Sequence, residues 1–476
     1  MKQSSRVSIK YLLAIAGLGG LLYGVDFGVI AAAEPYMKAL GVYSDSQISH
    51  VVGAVLLGGL LSSISAGWLC DFFGRKKMIV AASAMFLVAI PIVSLSLDSF
   101  PVLFAGRVLQ GMSAGYMAVV MPMYLTETLP PEIRGRGTGV FQFCLGLGLV
   151  IAAGAGCLVA TWYGASDKEG LDAAGKAAAW SANFWWTMIP VVVLFFGSIR
   201  LPESPVWMER RKVKSNKAEP KVANTAQNNQ TIKQSNNQTL LHRRYVIPFV
   251  LAVLVLTFNK TTGISSFTSY LVSILQNAGF EGIFANWGQL VVKLTNMVVT
   301  VAAAVLVDRK GRTWLLRVGT GGMTIGLAAI GAVFLAIERF GVQASNATGL
   351  LALFSFFFMQ VFYALGPGIC VWLVLSELMP SRIRANGMAL ALFMNQLVAW
   401  GLASWFRPWV AAWGWSSMFF FFAANGVLYF IVSLFIPETK GKSLEELEHL
   451  FERVDRSQES VVRSQKTDPS VLTPDP

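Results

Sequence analysis

Two sets of residues in this chain have the types and spacing to do chemistry. The first is a handful of ionisable groups inside apolar runs: Asp26, Arg107, Lys260 and Lys293. A charge at mid-membrane costs about 3 kcal/mol or more unless it is paired or faces water, so function is the default reading. A carboxylate beside an arginine stays ionised, and moving the arginine away lets it take a proton. Asp26 and Arg107 therefore read as a proton-coupling switch, with a static buried ion pair as the competing reading. The second set recurs along the chain. Asp71-Phe-Phe-Gly74-Arg75 returns as Asp308-Arg-Lys-Gly311-Arg312, and Glu127-x-x-Pro130-x-x-x-Arg134 returns as Glu377-x-x-Pro380-x-x-x-Arg384. Pro202-Glu203-Ser204 returns as Pro437-Glu438-Thr439. These charges read as an ionic latch between helix ends; solvated charges that only set topology are the alternative, since an exposed pair contributes about 0–1 kcal/mol.

Other chemistry is missing from the sequence. His50, His242 and His449 stand at the edges of apolar runs or in polar segments, with no Ser/His/Asp set, metal cluster or phosphate loop. Cys70, Cys144, Cys157 and Cys370 all lie in apolar stretches without metal-site spacing, and read as small buried hydrophobes. No cofactor, no metal and no enzymatic activity are expected.

The elements that must carry these residues are membrane helices. Of 476 residues, 54% are hydrophobic and 13% charged, against about 25% charged in soluble domains. Mean hydropathy is +0.56. A bilayer core needs about 20 apolar residues per helix. Twelve such runs lie near 11–33, 48–70, 77–97, 101–122, 137–160, 184–200, 246–275, 286–307, 314–336, 349–376, 387–409 and 414–436. The first is too long for the core of a cleavable signal peptide. With the N-terminus inside, the inner segments hold 30 of the 38 lysines and arginines. The outer loops hold Lys38, Lys168, Lys176, Arg339 and Arg407. Both termini are thus expected in the cytoplasm. The net charge of +12 is topology, and no nucleic-acid partner is expected.

The three repeated motifs follow runs 2, 4 and 6 and then runs 8, 10 and 12. The expected fold is therefore an all-α membrane protein: twelve transmembrane helices in two pseudo-symmetric six-helix bundles. The first bundle takes residues 1–200 and the second 246–436. A cytoplasmic linker with short helices covers 201–245, and a cytoplasmic tail, helical from Ser443 to Arg453, covers 437–476. Duplicated halves with a site between them suit alternating access.

The ordered motifs resemble those of the sugar porters of the major facilitator superfamily, of the proton-linked bacterial type. The resemblance spans the chain: Gly24-Val25-Asp26, Asp71 to Lys77, Gly106-Arg107, Pro122 to Glu127, Arg134-Gly135-Arg136, Pro202 to Trp207, Ser376-Glu377 to Arg384, and Pro437 to Gly441. It implies the major facilitator fold, and a cytoplasmic gate of Asp71, Arg75, Glu127, Arg134, Glu203, Asp308, Arg312, Glu377, Arg384 and Glu438. An acid at the place of Asp26 belongs to proton-linked members. Sugars need amides for their hydroxyls and aromatic faces for their C–H surfaces. By match to the family, the substrate-binding candidates are Gln142, Asn259, Lys260, Ser265, Tyr270, Asn296, Trp372 and Asn395, with Lys293 one turn before Asn296.

The chain departs from the family in run 7, which usually reads Gln-Gln-x-x-Gly-x-Asn and here reads Asn259-Lys260-Thr-Thr-Gly263-Ile-Ser265. Two cations without an evident acidic partner suggest an anionic solute; the competing reading is that one lysine snorkels or pairs with a helix-end carbonyl and the solute is a neutral sugar or polyol. The function expected is secondary active transport of a sugar or sugar-like solute, by proton symport, with a preference for an acidic sugar such as a hexuronate. Uncoupled transport of a neutral hexose, pentose or polyol is the alternative, and a non-transporting sugar sensor a more remote one. The expected partners are the solute, the proton and the lipid bilayer. The expected setting is a monomer in the bacterial inner membrane.

Overall fold

A computed structural model describes residues 8–130, 133–216, 243–379, 384–440 and 446. Seven helices build the first half: α1 (Ile9–Leu40), α2 (Asp45–Phe73), α3 (Arg75–Leu95), α4 (Phe100–Thr128), α5 (Arg134–Tyr163), and the pair α6 (Ala173–Trp185) and α7 (Met188–Ile199). The short α8 (Pro205–Asn216) follows. The second half holds α9 (Arg243–Thr261), α10 (Ile264–Asn277), α11 (Gly282–Lys310), α12 (Arg312–Arg339), α13 (Asn346–Leu365), α14 (Pro367–Leu378) and α15 (Arg384–Leu434). There is no strand among the described residues.

Within the first bundle, glycines let backbones touch. Gly20 and Gly24 of α1 lie against the Phe141 and Leu145 carbonyls of α5, where a Cβ would come within 2.2 and 2.0 Å of oxygen. Gly148 returns the contact onto Leu21 O. Gly58 and Gly111 make the same seam between α2 and α4. Small residues at these crossings suit helices packed in lipid, where close approach replaces the hydrophobic drive.

The helix starts at the motif end are built alike in the two halves. Gly74 (φ 98°) and Gly311 (φ 92°) take backbone conformations that other residues rarely adopt. Each leaves room for a carboxylate over the next helix. Glu203 accepts from the Arg75 and Lys76 N–H groups at 2.9 and 3.0 Å. Glu438 accepts from Arg312 and Thr313 N–H at 3.0 and 3.1 Å. At the opposite end, Gly414 (φ 83°) does the same under Glu338, which accepts from Trp415 N–H at 2.6 Å and Ser416 N–H at 3.1 Å. Acceptors suit helix N-termini, whose first N–H groups have no partner inside the helix.

Several spans differ from their sequence expectation. Run 6 starts at Ala173 rather than near 184, because the Ala-rich turn around Lys176 is helical yet only weakly apolar. Runs 7 and 10 are each broken, at Gly263 (φ 81°) and Gly366. Runs 11 and 12 join end to end in α15, with Gly414 as the break between them. Helix α1 extends seven residues past the expected edge, which puts Glu34 inside the molecule. Arg407, expected in an outer loop, is buried inside α15. The expected tail helix lies outside the described residues apart from Glu446, as do linker residues 217–242.

The bundles meet along α2 against α15, α5 against α11 and α1 against α10. At the end opposite the motifs, a buried apolar cluster runs unbroken across them. Val29, Ile48, Val51 and Val52 of the first half join Tyr270, Leu271, Ile274 and Phe406 of the second.

Candidate functional site

A cavity of about 220 Å³ lies between the two bundles. Helical spacing explains which side chains reach it. On α11, Lys293, Asn296 and Thr300 stand at i, i+3 and i+7, and all three line the wall. On α5 the same spacing brings Gln142, Leu145 and Leu149. Lys260 closes the last turn of α9, and Ser265 opens α10 beyond the Gly263 break, where Lys260 Nζ donates to Ser265 Oγ at 3.3 Å. Trp372 stands on the wall from α14.

The structure thus brings together Gln142, Lys260, Ser265, Lys293, Asn296 and Trp372. It does not bring Asn259, Tyr270 and Asn395 to the wall. Tyr270 is five residues beyond Ser265, about 140° further round the helix, and it stacks on Phe406 at 4.6 Å away from the cavity. Asn259 is buried beside Tyr363 and Tyr429. Asn395 is buried too, and its neighbour Gln396, one step of about 100° round the helix, faces the cavity instead. Sequence reading also missed Tyr23, Phe27, Thr268, Gln360 and Tyr363. Gln360 carried a usable signal, an amide in an apolar run. The others look like ordinary helix residues until the faces are known.

Beside the cavity stands the buried pair. Asp26 and Arg107 are each 1% exposed, with Arg107 Nη1 at 3.6 Å from Asp26 Oδ1. The same Nη1 donates to Gln110 Oε1 at 2.8 Å, and the Phe184 ring lies 5.7 Å from the guanidinium carbon. Neither Asp26 oxygen has a hydrogen-bond partner in the structure. The guanidinium is thus the charge that compensates this carboxylate, with Gln110 beside both groups. Tyr23 and Phe27, which flank Asp26 on α1, both face the cavity.

The motif charges tie helices of the same bundle. Arg75 bridges Asp71 at 3.1 Å and Glu127 at 2.9 Å, and Ser204 Oγ donates to Glu127. In the other half Arg312 bridges Glu377 at 3.2 Å, and Thr439 Oγ1 donates to Glu377. The pairs of Arg75 and the Arg312–Glu377 pair each lie within one bundle. The side chains of Arg134, Asp308 and Arg384 lie outside the described set.

A different, unexpected ion pair does cross the bundles. Arg407 of α15 pairs with Glu34 of α1 and with Asp45 of α2. Among the described residues, neither Lys260 nor Lys293 pairs with a carboxylate, and no aspartate or glutamate lines the cavity.

Two six-helix bundles around a polar cavity, with a buried carboxylate–guanidinium pair next to it, define a solute carrier of the major facilitator type. The family model for sugar (and other) transporters matches residues 12–451, and the chain belongs to that family. It is 27% identical to the arabinose-proton symporter of Bacillus subtilis (strain 168), over 92% of this chain and 93% of that one. It is 28% identical to the major myo-inositol transporter IolT of the same organism, over 96% and 97%. The crystal structure of a D-xylose-proton symporter superimposes with a TM-score of 0.77 at 24% identity, covering 92% of this chain and all of that one.

Proposed function

We propose that the protein is a proton symporter for a sugar-like solute carrying a carboxylate, such as a hexuronate, working by alternating access. The observation that carries this reading is the cavity wall. It offers amides and aromatic faces to hydroxyls and C–H surfaces, yet holds two lysines and no acid. The charges inside the bundles lead to the same point. Asp26 offsets Arg107, Glu34 offsets Arg407 and Glu127 offsets Arg75, so the buried Lys293 and the half-buried Lys260 remain. An incoming carboxylate would supply the missing anion, and a charge-assisted contact contributes about 1.5–3 kcal/mol. The relatives are named for neutral solutes, arabinose and myo-inositol. The change at Lys260 separates this chain from the usual run-7 pattern.

Proton coupling rests on Asp26. With Arg107 close the carboxylate stays charged. A rearrangement that draws the guanidinium away leaves a buried acid that takes a proton. The motif end, rich in lysine and arginine, faces the cytoplasm, and both termini lie there. The membrane is the bacterial inner membrane. The motif charges stiffen the inner ends of each bundle and form the gate there. If Lys260 or Lys293 held Asp26 charged throughout the cycle, uniport would replace symport.

Competition for uptake into membrane vesicles tests the solute class. Glucuronate and galacturonate are expected to compete, and Lys260→Gln to weaken that competition. Competition by a neutral hexose or inositol alone, with full activity in Lys260→Gln, overturns the acidic-solute reading.

A further inference from the structure

Arg407 sits inside α15, 4% exposed, and its contacts reach three other helices. Its Nη2 donates to Glu34 of α1 and, at 3.3 Å, to Ser273 Oγ of α10. Its Nη1 donates to Asp45 Oδ1 of α2 at 3.1 Å. Its backbone N–H donates to Ser49 Oγ of α2 at 3.1 Å. Glu34 is fully buried, and its second oxygen accepts from Ser273 Oγ. The Tyr270 ring lies 5.5 Å from the guanidinium carbon, and Tyr270 OH donates to Ser49 Oγ at 3.3 Å.

The location distinguishes this cluster from the motif charges. Those pairs join helices of one bundle and can move with it as a rigid body. Here the acids stand on the first bundle and the base on the second, at the end where the apolar cluster also crosses. Any separation of the bundles at this end must pull Arg407 from Glu34. In the closed state the pair is dry on the Glu34 side, while Asp45, 47% exposed, borders water. Opening would let water solvate both charges. Removing only one partner leaves a buried charge uncompensated, which favours the opened, wetted state.

We propose that Glu34 and Arg407, with Asp45 as the rim acceptor, form an ionic lock that holds the outer side of the carrier closed and must break once per transport cycle. The proposal rests on the alternating-access reading above. It adds residues that the motif pattern did not point to, and it places the bundle-crossing clasp on the outer side.

The test uses the full chain with Cys70, Cys144, Cys157 and Cys370 replaced by alanine. A reporter cysteine replaces Val52, which is buried one turn below Ser49. Proteoliposomes are treated with a membrane-impermeant maleimide. E34Q and R407Q are each expected to raise the labelling rate by at least about tenfold, the ratio that loss of a strong charge coupling gives. The double variant E34Q/R407Q is expected to match the single variants rather than multiply them. It leaves no unpaired buried ion, so it decides the matter where R407Q alone does not fold. Labelling at the parent rate, or single effects that multiply in the double variant, would overturn the lock. Labelling decides the lock, and solute uptake by the parent protein decides the transport reading, so the two can fail separately.

Discussion

At the residue scale, four charges inside the bundles stand in different surroundings. Asp26 has Arg107 at 3.6 Å and no hydrogen bond to either oxygen. Asp26→Asn keeps the shape and removes the titration. We expect it to abolish accumulation against a gradient while leaving solute exchange in part, measured as counterflow in vesicles; concentrative uptake by this variant would remove Asp26 from the coupling step. Lys260 and Lys293 are the second pair. Lys293→Gln is expected to weaken binding of a sugar acid by roughly tenfold or more, from the loss of one charge-assisted contact of about 1.5–3 kcal/mol. Calorimetry on purified protein reads this, and unchanged affinity would point to a lysine that serves packing alone. All four of these charges stood out in the sequence, because a charge in an apolar run is conspicuous. Glu34 and Arg407 did not. Each lies near the edge of an apolar run, where a few residues decide between loop and interior, and only the fold showed them facing each other.

At the element scale, caps and breaks decide where helices begin. Glu438 accepts five hydrogen bonds over the start of α12 and the following turn. Burial alone would raise its carboxyl, but the Thr313 hydroxyl and the backbone N–H groups of Lys440, Arg312 and Thr313 outweigh that and hold it below its ordinary value of 4.5. A depressed carboxylate contributes stability that is fully present above the unfolded value and fades as pH falls through the folded one. Thermal stability should therefore decline below about pH 4.5 in the parent, and less steeply in Glu438→Gln. At neutral pH, Glu438→Ala should lower stability by about 1–2 kcal/mol, as the loss of a helix cap does. A matching pH profile in parent and Glu438→Gln would show that the cap adds nothing. The repeated Pro-Glu-Ser/Thr motif marked these positions in the sequence. Their role as caps was not legible there, because the helix they cover starts more than 100 residues earlier in the chain. The same distance explains the wall residues. Runs of apolar residues located the helices, though the start of run 6 and the end of α1 lay well outside the expected edges, and rotation about each axis is set by packing. Tyr270 and Asn395 were therefore assigned to a face that the packed helices turn away.

At the scale of the whole molecule, twelve spans and their duplication were readable from hydropathy, charge and three repeated motifs. The breaks at Gly263 and Gly366 were not read as breaks, because long apolar stretches on either side of Thr-Thr-Gly263 and of Gly366-Pro367-Gly368 made each a single run. These breaks sit beside the cavity, the place where discontinuous helices expose backbone to a solute in carriers. The central claim is that the two bundles move a solute with a proton through this cavity. Purified protein in proteoliposomes, given an imposed pH gradient and radiolabelled glucuronate, tests it most directly. Uphill accumulation is expected, collapsed by a protonophore and not sustained by Asp26→Asn. Glucuronate uptake that only equilibrates and ignores the protonophore, or its absence beside gradient-driven uptake of a neutral sugar, would contradict it.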